Sequence, residues 1–437
     1  MAPKRKLVLK SIWDESLVRD VLPNPHHRAR MWQWLVNHPD KDVCDVPFDS
    51  WSTAKKPAQI LIEQFKLLTC KIVEQNDSAR GDTHKLLLEL QDGHRIETVI
   101  MKHAAHATVC VSSQIGCQMG CRFCATGTMG IIGNLTSGEI MEQLVYANQL
   151  LHSLRSDSTQ TAAGLAKIRN VVFMGMGEPL NNYDNLKLAV EFMVDDRRFG
   201  LSPKHVTVST VGVLKSMQRL SDDLPAVMLA VSLHAPNQEV RMKIVPAASA
   251  HKIDKIMAAI DLHIERNKEA WSKKREAARG YILIKGVNDL EEHAHELGQL
   301  LAPRRDHILL NLIPYNPTEV AEDYEPPTEE SVRRFFDICI SEPYVIHTRV
   351  RQEMGQDVAA ACGQLALVSK KQDSAPRDIE DYGSRTRTKQ TKTKIRERNP
   401  PSPDVASHIS RANMLCYVSV ALPLAVVSIL ELIRPAQ

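Results

Sequence analysis

The N-terminal part of the chain has the spacing of amphipathic helices. Over residues 11–75, apolar side chains recur at helical intervals, first Trp13, Leu17 and Val21 and then Met31, Trp32, Leu35 and Val36. This spacing predicts a small helical region with one buried face. Arg28 and Arg30 lie beside the second group. They indicate either a solvated basic face on a packing domain or a surface that docks RNA.

Residues 84–102 change to the pattern of two strands joined by a tight turn. The runs Lys85–Leu90 and Arg95–Ile100 flank an Asp-Gly pair, which is typical of a β-hairpin with a type I′ turn. Glu97 lies in the second of these strands. An isolated Glu in a strand is usually just exposed, so the pattern by itself assigns Glu97 no function.

From residue 137 onward, short apolar runs alternate with segments of helical spacing. Ser137 is the predicted N-cap of the first helix. The predicted strands are Val171–Met174, Val206–Ser209, Val227–Val231, Tyr281–Ile284, Ile308–Leu312 and Val345–Val350. The predicted helices between them include Asp184–Phe192, Lys252–Arg266 and Glu291–Leu301. This alternation favours an α/β fold with a parallel sheet, in which ligands bind at the carboxyl ends of the strands.

The C-terminal region differs in composition from the rest. Ser384–Asn399 contains seven Lys/Arg and one Glu without periodic apolar positions, which predicts a disordered basic tail. Met414–Leu430 is a mostly apolar run of 17 residues, whereas about 20 are needed to span a bilayer comfortably. We expect a solvated tail here; RNA contact, a nuclear address and a membrane anchor are the alternatives.

Composition narrows the class of protein. The 437 residues are 43% hydrophobic, enough for two or three domains with a large core. The net charge of only +3 excludes a global basic field, so any RNA contact must come from local patches. Nine cysteines, an odd number, argue against a secreted disulfide scaffold. The N-terminus also lacks an apolar stretch of signal-peptide type, and we expect a cytoplasmic location.

Three of the cysteines form the strongest chemical signal. Cys117, Cys121 and Cys124 are separated by three and then two residues. Three thiolates at this spacing suit three corners of an iron–sulfur cluster and leave the fourth iron open to bind a substrate. Gly116 and Gly120 allow the loop to wrap closely. The alternative is a structural zinc site, but such sites usually have two paired knuckles and only one is present.

This spacing is the hallmark of radical S-adenosylmethionine (SAM) enzymes, and further motifs narrow the resemblance. They are Thr108-Val-Cys-Val-Ser-Ser-Gln-Ile-Gly-Cys117, Gly175-Met-Gly-Glu-Pro179, Ser232-Leu-His234, Asn311-Leu-Ile-Pro-Tyr-Asn-Pro317 and Ala360-Ala-Cys-Gly-Gln-Leu365. Together, in this order, they resemble the RlmN-type RNA adenine methyltransferases, close relatives of the Cfr resistance enzyme. Each motif alone is weak, whereas the joint pattern is very specific. The similarity covers about residues 13–367.

The resemblance implies a domain organisation. It predicts a small helical accessory domain over 1–80, able to dock RNA, and a β-hairpin linker over 81–105. A partial (β/α)6 radical SAM barrel follows over 106–367. The basic, disordered tail over 368–437, with its apolar terminal segment, lies outside the resemblance.

The resemblance also implies the cofactors. One four-iron–four-sulfur cluster is expected on Cys117, Cys121 and Cys124, with SAM used twice per turnover. The positions that match the family's SAM contacts are Gly177, Glu178, Ser209, Ser232, Leu233, His234 and Asn316. A glycine permits close backbone approach, and a carboxylate pairs with the ammonium group of SAM.

Three residues match the family's catalytic positions. Cys362 would accept a methyl group from one SAM, and the carbon of that group would then be joined to carbon 2 of an adenine. Cys110 would attack Cys362, forming a transient disulfide and freeing the base. Glu97 would remove the proton from the methylated carbon. The other cysteines fall in no motif and suit small buried side chains.

The resemblance further implies an RNA substrate, ribosomal or transfer RNA or both, and a flavodoxin- or ferredoxin-type electron donor. We expect a monomer and no membrane partner. Two alternatives stay open: methylation of carbon 8, as by the Cfr relative, and a non-catalytic iron–sulfur protein that binds RNA. The presence of Glu97, Cys110 and Cys362 argues against the second, because binding alone requires none of them.

Overall fold

The computed structural model describes residues 3–51, 55–156, 167–267, 277–318, 320, 323–351 and 354–365. Met1–Lys370 form one compact unit. The predicted basic tail and Met414–Leu430 lie outside the described residues. Among the helices that the structure describes, none is long and apolar enough to cross a membrane. The three-part division predicted for residues 1–367 stays a prediction.

The N-terminal region is mostly helical. It contains α1 (Glu15–Val21), α2 (Pro25–Asn37), α3 (Lys55–Gln64) and the two-residue strands β1 (Lys10–Ser11) and β2 (Phe65–Lys66), which pair in parallel. Trp13 and Trp32 are fully buried in its core. The helical prediction is wrong at its C-terminal end, because Lys71–Asp77 forms strand β3. That strand lies at a sheet edge and is largely exposed, so few apolar positions mark it.

Arg28 contradicts the solvated-face interpretation. Its side chain is buried and donates hydrogen bonds to the carbonyl oxygens of Leu22, at 2.9 Å, and Pro23, at 2.7 Å. It therefore satisfies carbonyl groups just beyond the end of α1. Arg30 is exposed and lies over the ring of Trp51 at 4.8 Å.

A ten-stranded sheet organises the remaining described residues. Its antiparallel part is β3, β4 (Thr83–Glu89), β5 (Arg95–Lys102) and β6 (His106–Cys110). Parallel pairing continues from β6 through β9 (Lys167–Phe173), β10 (Val206–Thr210), β11 (Met228–Ser232), β12 (Ala277–Leu283), β13 (Ile308–Pro314) and β14 (Thr348–Val350). A separate antiparallel pair is formed by β7 (Gln114–Cys117) and β8 (Gly130–Asn134).

Helices connect the parallel strands. They are α4 (Ala125–Thr128), α5 (Ser137–Ser156), α6 (Tyr183–Val194), α7 (Leu214–Asp223), α8 (Gln238–Ile244), α9 (Ile253–Asn267), α10 (Glu291–Leu301) and α11 (Glu329–Ile340). The predicted alternation and α/β class are confirmed. The six predicted runs correspond to β9–β14; strand β6 adds a seventh parallel member that was not predicted.

Two local predictions are wrong in detail. Thr136, not Ser137, caps α5: its Oγ1 accepts from the amide of Glu139, whose carboxylate accepts in return from the amide of Thr136, a capping box. The hairpin between β4 and β5 has a three-residue loop. The amide of Leu90 donates to the carbonyl oxygen of His94, and the amide of Gly93 donates to the carbonyl oxygen of Leu90. Only Gly93 of the Asp-Gly pair has a positive φ, whereas a type I′ turn requires two.

Candidate active site

The three clustered cysteines lie in one loop between β7 and α4. Cys117 ends β7, and Cys124 precedes the first residue of α4 with its amide bonded to the carbonyl of Cys121 at 3.1 Å. Gly116 has φ +74°, and a Cβ there would lie 2.0 Å from the carbonyl oxygen of Gly130. Only glycine therefore permits this approach of β7 to β8.

All three cysteines line one open cavity at the carboxyl ends of the parallel strands. Burial raises the pKa of Cys117 to about 12 and also raises the pKa values of Cys121 and Cys124. Metal coordination favours the thiolate and would offset this effect. In the described part of the chain, no three His, Cys, Asp or Glu side chains converge as on a single ion. The loop fits an iron–sulfur cluster by its donor atoms and by the cavity beside it.

Gly177 and Glu178 follow β9 and line the cavity. Gly177 has φ +101°, and a Cβ there would lie 2.5 Å from the Cβ of Gln114. The buried carboxylate of Glu178 accepts from the amides of Val211, at 2.9 Å, and Leu180, at 3.1 Å. Burial raises the pKa of Glu178 to about 7. A cation brought beside this carboxylate would favour its charged form.

Ser209, Ser232 and His234 lie on the same side of the cavity. The hydroxyl oxygens of Ser209 on β10 and Ser232 on β11 are 3.3 Å apart. His234 has φ +59°, and its Nδ1 accepts from the amide of Ile282 at 3.0 Å. Since a backbone amide can only donate, the neutral ring carries its proton on Nε2. Burial lowers the pKa of His234 to about 3, so the ring is neutral at physiological pH.

Two predicted SAM-contacting residues have side chains outside the cavity lining. Leu233 is fully buried, and its amide donates to the carbonyl of Gly280 at 3.0 Å. Asn316 donates to the carbonyl of Cys362 at 3.3 Å. Both residues therefore support the cavity wall by hydrogen bonds to the backbone of residues that line it, Gly280 and Cys362.

Glu97 and Cys110 lie on the same face of the antiparallel part of the sheet. Val99 pairs with Cys110 across β5 and β6, and Glu97 precedes Val99 by two residues. Side chains two residues apart on a strand share a face, so Glu97 and Cys110 are diagonal neighbours. Both are buried.

Cys362 lies beside both the cysteine loop and Cys110. It is exposed, and together with Gly363 it lines the cavity. Burial, and to a lesser extent the nearby Cys362 thiol, raises the pKa of Cys110 to about 12. The hydroxyl of Thr126 in α4 donates to the carbonyl of Leu365 at 2.5 Å. The structure therefore brings together cysteines that are far apart in the sequence.

Arg241 was not identified from the sequence. Its fully buried guanidinium donates to the carbonyls of Leu233 at 2.9 Å, Val211 at 2.5 Å and His251 at 2.9 Å. It thus joins the segments that follow β10 and β11, and burial lowers its pKa to about 10. Arg351 was also missed and lines the cavity. Isolated arginines on a short helix or after a strand give no pattern that would reveal these positions.

Comparison with known proteins defines the class. Residues 111–297 match the family model described as the radical SAM superfamily. The crystal structure of a radical SAM methyltransferase from Sphaerobacter thermophilus superposes with a TM-score of 0.69 and 32% identity, covering 82% of this chain and 99% of that one. The fold, the cysteine loop and the cavity are those of a radical SAM enzyme, whose cofactors are a 4Fe–4S cluster and SAM.

Two relatives identify the family. Dual-specificity RNA methyltransferase RlmN 1 of Myxococcus xanthus is 41% identical over 342 residues, 78% of this chain and 88% of the relative. Ribosomal RNA large subunit methyltransferase N of Nitrosopumilus maritimus is 39% identical over 334 residues, 74% of this chain and 88% of the relative. The chain belongs to the RlmN family of RNA methyltransferases. The resemblance inferred from the motifs is confirmed, and the chain is an RNA-methylating enzyme.

Proposed function

We propose that this enzyme methylates carbon 2 of an adenine in ribosomal RNA, transfer RNA or both, through a methylated Cys362. The observation that carries the proposal is that Glu97 shares a buried sheet face with Cys110, and that Cys110 lies near Cys362, which lines the cavity of the three-cysteine loop. The names of the relatives from Myxococcus and Nitrosopumilus support an RNA substrate of these kinds.

The cavity supports an assignment of the cofactor positions. Cys117, Cys121 and Cys124 would hold the cluster, and the predicted SAM-contacting residues that line the cavity would receive SAM: Gly177, Glu178, Ser209, Ser232 and His234. The cluster and SAM together supply the radical that activates a methyl group. The buried carboxylate of Glu178 stabilises the ammonium group of SAM, and neutral His234 adds no competing positive charge.

Cys362 carries the methyl group. Its thiolate attacks the methyl carbon of one SAM molecule and becomes a thioether, while the bond from that carbon to the sulfonium breaks and S-adenosylhomocysteine leaves. A second SAM is used for activation, so two are used per turnover. The exposure of Cys362 at the cavity mouth supports this role, since the side chain must reach both SAM and an RNA base.

Cys110 and Glu97 complete the reaction. Glu97 accepts the proton from the methylated carbon of the adenine. The unpaired electron left on the adduct by the radical addition would return to the cluster. The Cys110 thiolate then attacks the sulfur of Cys362, the bond from that sulfur to the methylene carbon breaks, and its electron pair takes up a proton from solvent to complete the methyl group on the base. The resulting disulfide is reduced before the next turnover by an external thiol.

Product analysis tests the proposal. Reconstituted protein is incubated with SAM, a reductant and total RNA, and the digested nucleosides are identified by mass spectrometry. We expect 2-methyladenosine from the wild type and none from Cys362→Ala. Only 8-methyladenosine would favour the Cfr-type alternative, and SAM cleavage without any methyladenosine would contradict the proposal.

We further propose a flavodoxin- or ferredoxin-type protein as the electron donor, a monomeric state and a reducing compartment such as the cytoplasm. The free thiols of all cysteines in the described residues support the compartment. Activity with purified donors and size-exclusion chromatography test the first two points.

A further inference from the structure

Lys85 is a buried cation that the reaction outlined above does not use. Its Nζ lies 3.1 Å from Oε1 of Glu97, and both side chains are buried. The same ammonium group donates to the carbonyl oxygen of Ala359 at 3.3 Å. Lys85 therefore contacts Glu97, the proposed proton acceptor. It also contacts Ala359, which lies three residues before Cys362, the proposed methyl acceptor.

The register of the sheet explains why Lys85 reaches Glu97. Lys85 on β4 pairs with Val99 on β5, which pairs in turn with Cys110 on β6. These three side chains form one row on one face. Glu97 pairs with Leu87 in the next row on that face and is the diagonal neighbour of Lys85. A lysine inside a buried sheet face is unusual unless it is paired.

The segment that leads to Cys362 is docked onto the same strand. Gly355 lies against Thr83, so that a Cβ at Gly355 would be 2.7 Å from the Thr83 Cγ2. The carboxylate of Asp357 accepts from the amide of Ala79 at 2.8 Å. Ala359 has φ +49°, a left-handed conformation that is strained for alanine. The Lys85 contact is at this strained residue.

We propose that Lys85 is a positioning residue that holds the Glu97 carboxylate on the face that carries Cys110 and couples it to the Cys362 segment. This inference rests on the proposed function of Glu97. Removing one partner of a buried ion pair destabilises the position of the other, and a displaced Glu97 would not reach the proton that it accepts. Because methylation of Cys362 does not involve Glu97, Lys85 acts only after that step.

The test compares Lys85→Met, which keeps the length but removes the charge, with Lys85→Arg, which keeps the charge. After incubation with SAM and reductant, intact-protein mass spectrometry should find Cys362 methylated in both, as in the wild type. With labelled RNA added, Lys85→Met should lose at least about tenfold in turnover and accumulate a covalent RNA adduct, as Glu97→Gln should. Lys85→Arg should recover part of the turnover.

A double variant separates this function from a loss of stability. In the Glu97→Gln background, Lys85→Met should cause no further loss of turnover, because the two residues act as one unit. The double variant should also have a higher melting temperature than Lys85→Met alone, since a neutral amide then replaces the buried carboxylate that has lost the Lys85 ammonium.

Two outcomes would overturn the inference on its own. One is normal turnover in Lys85→Met. The other is that Lys85→Met and the double variant both lose Cys362 methylation to the same extent as turnover. Normal turnover in Glu97→Gln would overturn the proposed function itself, and the inference with it.

Discussion

The amide of Ala125 donates a 2.9 Å hydrogen bond to the carbonyl oxygen of Gly363. The residue after the third clustered cysteine is thus bonded to the residue after Cys362. This contact, with the hydrogen bond from the Thr126 hydroxyl to the carbonyl oxygen of Leu365, holds the Cys362 segment against the cysteine loop. One backbone hydrogen bond and one side-chain hydrogen bond thus fix the distance between the two parts of the site.

The conformation of Gly363 gives a first prediction. Gly363 has φ +88°, and a Cβ would lie 3.4 Å from the carbonyl oxygen of Phe123. Gly363→Ala should cost about 1–2 kcal/mol in unfolding free energy and should reduce methylation of Cys362 while iron content stays normal. Gly93→Ala is the matched control, because φ is +82° there and no atom lies within 4 Å. Equal methylation in the two variants would contradict this account.

The cysteine loop gives a second prediction. Cys121→Ala should lose the cluster, whereas the wild type should bind about four irons per chain after anaerobic reconstitution and absorb broadly in the visible range. Cys44→Ala is the control, since Cys44 is exposed and lies outside the cavity lining. Stoichiometric zinc without iron uptake in the wild type would refute the cluster assignment.

Arg28 gives a third prediction, which separates packing from RNA docking. Because Arg28→Ala removes the donor to the buried carbonyl group of Leu22 and to that of Pro23, it should lower the unfolding free energy by about 1–3 kcal/mol. The salt dependence of RNA binding should not change, since this buried guanidinium contacts no phosphate. Arg30→Ala should remove only a cation–π contact of about 0.5–1 kcal/mol. A shallower salt dependence in Arg28→Ala would contradict the structural role.

The burial of Cys110 gives a fourth prediction. Burial raises the pKa of its thiol to about 12, and the proposed attack on Cys362 requires the thiolate. Below that pKa the thiolate fraction rises about tenfold per pH unit, so the decay of the covalent RNA adduct should accelerate between pH 7 and pH 9. Rapid-quench time courses with labelled RNA measure this decay. A rate that is constant or falls with pH would exclude the thiolate attack as the limiting step.

The parallel part of the sheet could be predicted because its strands are apolar runs separated by helical spacing. Strands with fewer apolar positions could not be predicted from the sequence. β6 contains a histidine and a threonine and lies at the junction of the parallel and antiparallel parts. The predicted start of β14 at Val345 failed because Val345 has φ +50°, and the strand begins at Thr348.

The residues of the candidate site could be predicted from the sequence where they lie close together in short motifs. The cysteine spacing and the Gly177-Glu178 pair are short motifs, and both line the cavity. The contacts of Lys85 and Arg241 depend on strand register and on segments far apart in the chain. No periodicity or spacing in the sequence encodes such pairings, so they became visible only in the structure.

The different functions proposed for Cys110 and Cys362 give the last and most direct test. Cys110→Ala can still join methylated Cys362 to the adenine but cannot release it, because no thiolate attacks the thioether. Cys362→Ala has no methyl acceptor. After incubation with SAM, reductant and labelled RNA, a denaturing gel should show boiling-resistant RNA on Cys110→Ala and none on Cys362→Ala or the double variant. Normal turnover by Cys110→Ala without any adduct would contradict the methyl-cysteine mechanism for this enzyme.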